Sequence, residues 1–252
     1  MTSIDLTRVN RAILPFISIF LLFVFWQFTV MAFKLPNYIL PTPIEIFGGI
    51  FDDWDKLGSN ITVTLKNTLI GFLIGTVIGI ALAMIMVLSE WAHDLIMPVA
   101  VAISSVPTAA FVPLALMWFG LGDDSKIAMA ALAVSFVVLL NGVSGLQSSP
   151  KDQINLLRSF GASRLGVLRK LQFPAALPSI MTGMRIGLSR ATITVIVTEM
   201  LGAYSGIGQT IYQATAIVDY VTVWGAVIVA STGSLILYGI LATLDAKLIW
   251  WK

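Results

Sequence analysis

The sequence predicts an all-α, polytopic membrane fold with six transmembrane helices, and three observations predict it. Hydrophobic residues make up 58% of the 252 residues and charged ones only 11%, against about 25% charged in an average soluble domain. The mean hydropathy is +0.93, and 15 Lys and Arg with 13 Asp and Glu cannot cover the outside of a water-soluble globule of this length. Finally, the scarce charges bound uncharged windows, each close to the roughly 20 apolar residues that a helix needs to cross hydrocarbon.

The first window, 13–33, follows Arg8 and Arg11. A signal peptide also begins with basic residues, but the uncharged stretch from Ala12 to Phe33 is longer than a signal core and lacks a small-residue cleavage site, so a retained span is expected. After it, Thr42-Pro43-Ile44-Glu45 places a hydroxyl cap, a proline at the first helical position and a Glu three residues after the cap. Ile46, Phe47, Ile50, Phe51 and Trp54 follow at helical spacing opposite Glu45, Asp52 and Asp53, which predicts a short helix in the membrane interface or a lid on the outer ends of the spans.

The second window, 67–88, carries Gly71, Gly75 and Gly79 on one smooth face suited to close helix packing. The third, 95–119, contains Pro107 and Pro113 beside Ser104, Ser105 and Thr108. Proline frees backbone carbonyls, and irregular backbone at membrane depth is tolerated only inside protein or against a water-filled cavity. These five residues are therefore candidates for substrate contact. The fourth window is 127–147, with Asp123, Asp124 and Ser125 expected as its caps.

The fifth window, 180–203, is interrupted by Arg185, Arg190 and Glu199. A carboxylate at such depth costs about 2.5 to 3.5 kcal/mol on the insertion scale. Arg190, nine residues earlier, falls on the opposite helical face. Glu199 must then find a partner on another span, a dimer mate or water, and it joins the pathway candidates. The sixth window is 221–243. All six belong to one transmembrane domain over residues 1–252.

Lys and Arg bias sets the orientation. With an inner N-terminus, the inner segments hold ten basic residues: Arg8, Arg11, Lys151, Arg158, Arg164, Arg169, Lys170, Arg185, Lys247 and Lys252. The outer ones hold Lys34, Lys56, Lys66 and Lys126. Both termini and the longest connection, 148–179, are expected to be cytoplasmic.

That connection is patterned rather than loose. Ser149-Pro150-Lys151-Asp152 has the spacing of a capping box, Ile154, Leu157 and Phe160 are expected on one helical face, and Gly161 sits where a positive-φ glycine ends a helix. Ser163 is placed to cap a second short helix with a Leu165, Leu168 and Leu171 stripe, which Pro174 and Pro178 are expected to stop. The product is a basic helix-turn-helix with an apolar stripe, too hydrophobic for a free loop and suited to dock on a cytoplasmic partner.

Several function classes are excluded. Cys is absent and His93 is the one histidine, so no thiolate nucleophile, cysteine metal site or paired-histidine zinc site can form. A net charge of +2 gives no footprint for nucleic acid. No Lys follows a Gly, so a P-loop is missing and transport against a gradient needs energy from a partner or an ion. Two other readings remain to be weighed. One is an ion-coupled carrier using Glu199; the other is a rhomboid-like intramembrane protease built on Gly142-Val143-Ser144-Gly145, for which His93, in a charged turn, is poorly placed.

Arg158-Ser159-Phe160-Gly161-Ala162-Ser163 and Leu171-Gln172-Phe173-Pro174 resemble the cytoplasmic EAA loop of ATP-binding-cassette importer permeases, in which Glu-Ala-Ala, three residues, Gly, nine residues and Ile-x-Leu-Pro follow one another. Gly161 and Pro174 keep the spacing; Asn155-Leu156-Leu157 stands where the family has Glu-Ala-Ala. Leu40-Pro41-Thr42-Pro43, Pro113 to Gly120, Ser125-Lys126-Ile127 and Glu199-Met200-Leu201-Gly202-Ala203 extend the resemblance to the subgroup that moves sulfonates, taurine, nitrate, bicarbonate or thiamine precursors. The resemblance implies a type I importer permease in a bacterial cytoplasmic membrane. It implies a homodimer, two cytoplasmic ATPase subunits that bind ATP and magnesium, and an extracytoplasmic substrate-binding protein. It also implies ATPase coupling through Asn155, Leu157, Arg158, Phe160, Gly161, Ala162, Ser163, Arg164, Leu168 and Pro174.

Overall fold

The computed structural model describes residues 6–249, and for residues 6–13, 15 and 16 the backbone alone. The side chains of Arg8, Arg11 and Lys252, used above for orientation, lie outside the described residues. Among those described, every regular element is helical: α1 (Leu6–Ala32), α2 (Pro43–Asp52), α3 (Trp54–Leu88), α4 (Glu90–Ser104), α5 (Val112–Phe119), α6 (Asp123–Gln147), α7 (Lys151–Ser159), α8 (Arg164–Val167), α9 (Phe173–Leu201), α10 (Ile207–Ala216) and α11 (Tyr220–Leu248). Four helices are long and apolar enough to cross a membrane: α3, α6, Arg164–Leu201 and α11. The bent pair α4 and α5 makes a fifth crossing if counted as one, and the described apolar part of α1 is Ile17–Ala32.

The central helix is α6, packed between α3 and α9. Its approach to α3 explains the glycine repeat. A Cβ on Gly71 would lie 2.5 Å from Ala130 Cβ, one on Gly75 2.5 Å from the Ala131 carbonyl, and one on Gly79 2.7 Å from the Ser135 carbonyl. Small residues let the two backbones meet where lipid offers no hydrophobic drive for association. Gly142 and Gly145 play the same part, against Ala83 and Ser179. The glycines around Ser144 thus serve packing.

The capping box of α2 forms: Glu45 N–H donates to Thr42 Oγ1 at 3.2 Å, and Thr42 N–H donates to Glu45 Oε2 at 2.9 Å. Ile46 and Ile50 pack inward beside Leu57, Ile207 and Ala226, while Phe51 remains 78% exposed. One face of the helix therefore packs on the bundle as a lid would, and the other is left uncovered by the described residues. The Thr42 backbone N–H, then its hydroxyl, and finally Asn37 hold the Glu45 carboxyl below its ordinary value. A carboxyl lowered in the folded state stabilises it fully above the unfolded value and loses that contribution as pH falls through the folded one. Thr42→Ala should lower stability by about 1 kcal/mol near neutrality, and its deficit should shrink as melting is repeated toward pH 4. A deficit that does not change with pH would show that the ionised box is not what Thr42 supports.

Five local expectations are corrected. Residues 95–119 are not one helix: α4 ends at Ser104, a 3-10 turn spans Thr108–Phe111, and the two halves lie at 92°. The reason is local, since Pro107 and Pro113 have no N–H to donate while the Ser104 and Ser105 hydroxyls both donate to the Val101 carbonyl, at 2.9 and 2.8 Å. Ser149 does not cap α7, whose N-cap is Pro150; the Ser149 hydroxyl is buried without a partner among the described residues.

Pro174 and Pro178 do not stop the second helix either. A π-turn over Leu168–Gln172, closed by Phe173 N–H donating to the Leu168 carbonyl, carries α8 into α9. Pro174 then falls in the first turn of α9, where a missing N–H is tolerated, and Pro178 is absorbed inside it. Finally, Asp123, Asp124 and Ser125 do not cap α6, whose N-cap is Gly122. Asp123 instead accepts from Asn67 Nδ2 at 3.1 Å and pairs with Lys66 at 3.4 Å. Lys126, counted above as an outer loop charge, is buried and donates to the Leu121 and Gly122 carbonyls at 2.6 Å each.

Candidate functional site

The 92° break and the middle of α9 border an open cavity of about 400 Å³. Ser104, Ser105, Pro107 and Thr108 line it from the break, and Arg190, Ile193, Thr194 and Val197 from α9. Four of the six pathway candidates are thereby brought together. Pro113 and Glu199 are elsewhere: Pro113 stands at the start of α5, and Glu199 borders a separate cavity of about 200 Å³ with Gly202, Gln209 and Tyr212. Sequence reasoning did not place Arg190 here. The signal was available, because the geometry that separates Arg190 from Glu199 also gives it a face of its own.

Glu199 is 1% exposed and finds its partner on another helix, as required. Thr64 Oγ1, on α3, donates to the two carboxylate oxygens at 3.0 and 2.9 Å, and Gly208 N–H donates to Oε2 at 2.9 Å. Gly208 lies in the first turn of α10, where backbone N–H groups lack intrahelical acceptors and the helix dipole favours negative charge. The network extends through Ile207 N–H donating to Thr64 Oγ1 at 2.9 Å and Gly206 N–H donating to Asn60 Oδ1 at 2.8 Å. Gly206 has φ +109°, and a Cβ there would overlap the Glu199 carboxylate. Glu199 thus fastens α10 to α3. No window in the sequence pointed to α10, a short helix of mixed polarity.

A charge pair was also missed. Arg185 on α9 donates to Asp245 on α11, and Asp245 is buried. The sequence set Arg185 in the fifth window and counted it with the inner basic residues, and Asp245 lies just past the sixth window, so nothing joined the two.

The helix-turn-helix is locked as expected at Gly161, whose φ is +82°. Ala162 N–H donates to the Leu157 carbonyl at 3.0 Å and Gly161 N–H to the Arg158 carbonyl at 2.9 Å, the paired bonds of a Schellman ending. Ser163 Oγ then accepts from Gly166 N–H at 3.1 Å. The outward apolar face differs from the expected stripe. Leu156 and Phe160, one turn apart, are exposed at 57% and 80%, whereas Ile154 and Leu157 are half-buried. Leu168 faces the core beside Met86 and Leu146 and cannot meet a partner. Asn155, Arg158, Ser163 and Arg164 are exposed, Ala162 and Pro174 half-buried. Two bonds tie this unit to the bundle: Arg164 donates to the Leu88 carbonyl at 3.4 Å, and Gln172 to the Leu146 carbonyl at 3.2 Å.

The family model described as "Binding-protein-dependent transport system inner membrane component" matches residues 75–250. A probable ABC transporter permease protein of Haemophilus influenzae is 30% identical over 95% of this chain and 98% of its own length. The riboflavin transport system permease protein of Chloroflexus aurantiacus is 31% identical over 94% and 89%. The formylaminopyrimidine transport permease protein of Halalkalibacterium halodurans is 28% identical over 97% and 98%. Among solved structures, an inward-facing MetNI methionine ABC transporter matches at a TM-score of 0.66 and 18% identity, covering 79% of this chain and 96% of that one.

Proposed function

The chain belongs to the family of binding-protein-dependent transport system inner membrane components, and on that premise we propose that it works as a homodimeric permease that two cytoplasmic ATPases drive through residues 150–173. The ATPases carry ATP and magnesium, an extracytoplasmic binding protein delivers the cargo, and both termini face the cytoplasm. The cargo is a small organic or inorganic anion or a pyrimidine-type nutrient. This chain has no glycine-preceded lysine for a P-loop of its own.

One observation carries the coupling role. The exposed Leu156 and Phe160 are held by the Gly161 turn to a helix that runs from Arg164 to Leu201, 38 residues and roughly 57 Å long. A push on α7 therefore reaches Arg190 and Glu199 through one rod, and rocking of that rod switches the pathway between its two openings. Glu199, which an ion-coupled carrier would use, has its oxygens engaged in holding α10.

Phe160→Asp tests the docking face. The side chain is exposed, so the variant should insert and melt like the native chain, while ATPase recovery with a tagged permease falls by about 2 kcal/mol or more of binding energy. Undiminished recovery with Phe160→Asp would reject this face as the docking site. Recovery of an active carrier that needs no ATPase would reject the permease reading.

A further inference from the structure

Arg190 lies near the middle of α9, on a chain that crosses lipid, and forms no ion pair or hydrogen bond among the described residues. An unpaired guanidinium facing hydrocarbon is costly, so its surroundings must be wet or supply an anion. Its side chain is exposed on this chain and borders the open cleft of about 400 Å³ at the broken helix, within the range of small-molecule sites.

We propose that this cavity is an oxyanion-binding station, with Arg190 as its charge and the Thr108 and Thr194 hydroxyls as its neutral donors. No carboxylate lines it. The Ser104 and Ser105 hydroxyls are committed to the Val101 carbonyl and offer acceptors only, whereas those of Thr108 and Thr194 donate to no protein group among the described residues. One planar guanidinium beside two hydroxyl donors matches a carboxylate, sulfonate or phosphate group, which accepts several hydrogen bonds and prefers a forked cation. Prolines at the break keep the opening in place, since a continuous helix would bring backbone across it. The inference rests on the permease reading and narrows its cargo to solutes that carry an oxyanion.

The test uses the full chain in nanodiscs of phosphatidylcholine, which present no anionic headgroup to compete. Methanesulfonate and its uncharged analogue dimethyl sulfone serve as probes, read by saturation-transfer NMR. The native chain and Arg190→Lys should bind methanesulfonate, Arg190→Gln should bind it about tenfold more weakly, and dimethyl sulfone should bind weakly to all three. On the native chain alone, sulfate should displace methanesulfonate and dimethyl sulfone at the same concentration should not, which keeps the test available if Arg190→Gln does not fold. Equal methanesulfonate affinity in native and Arg190→Gln chains, or displacement by the uncharged probe, overturns the proposal. ATPase recovery is scored on the same preparations. An intact ATPase complex with Arg190-independent binding defeats this inference alone, and Arg190-dependent binding without any ATPase defeats the permease reading alone.

Discussion

Glu199→Leu should destabilise the detergent-solubilised chain by about 2 kcal/mol, because it strips the buried Gly208 N–H of its acceptor and leaves Thr64 Oγ1 only one of the acceptors it reaches. Gly208 N–H ends on this carboxylate at a position 1% exposed, whereas Thr64 Oγ1 also reaches the Asn60 carbonyl at 3.1 Å and keeps that acceptor. Leucine matches the volume but accepts nothing, so the first turn of α10 is released and the Gly202 to Gly206 segment loses its hold. Glu199→Gln keeps one carbonyl oxygen for Gly208 and should retain most of the stability. Melting of both variants in one detergent decides the matter. If Gln proves as damaging as Leu, the charge itself is needed, and the buried Lys126 becomes the group to examine. If Leu melts with the native chain, α10 is not fastened this way.

Gly75→Leu should cost about 3 kcal/mol, by a steric route. The new Cβ would stand 2.5 Å from the Ala131 carbonyl and 2.7 Å from Val134 Cβ, and a helix backbone cannot yield as a flexible side chain can. The central helix would be pushed away from α3, and α9, which packs on its other side, would lose its bed. Gly239→Ala is the control: a Cβ there meets nothing within 4 Å, and alanine is the better helix former by up to about 1 kcal/mol. Size-exclusion profiles and melting temperatures should separate the two clearly. A Gly75→Leu chain that behaves like Gly239→Ala would mean that α3 and α6 do not meet along the glycine face.

What was readable beforehand follows from chemistry that acts over a few residues. The Thr42 cap, the Gly161 turn and the Ser163 cap each depend on neighbours within five positions, and all three form. The Ser149 cap failed because Pro150 took the N-cap position, and the proline stops failed because a π-turn changed the hydrogen-bond register just before Pro174. The outward face of α7 was misread by one residue, Leu156 for Leu157, since apolar residues stand at both positions and a one-residue step turns the face by about 100°.

The sequence by itself determined that this chain lives in lipid, where its uncharged windows lie, which glycines make a smooth face, and that Glu199 and Arg190 point apart. Tertiary structure alone decided who meets whom. Glu199 and Thr64 are separated by 135 positions, and Arg185 and Asp245 by 60. The angle of the broken helix, 92°, is what brings Ser104 to Thr108 opposite Arg190. The physical reason is the solvent. In water, a helix betrays its buried face by its polar one, but in hydrocarbon both faces are apolar, so the pattern no longer records which side touches protein. There the partners of the few polar groups are set by packing geometry between helices, which is a property of the assembled bundle.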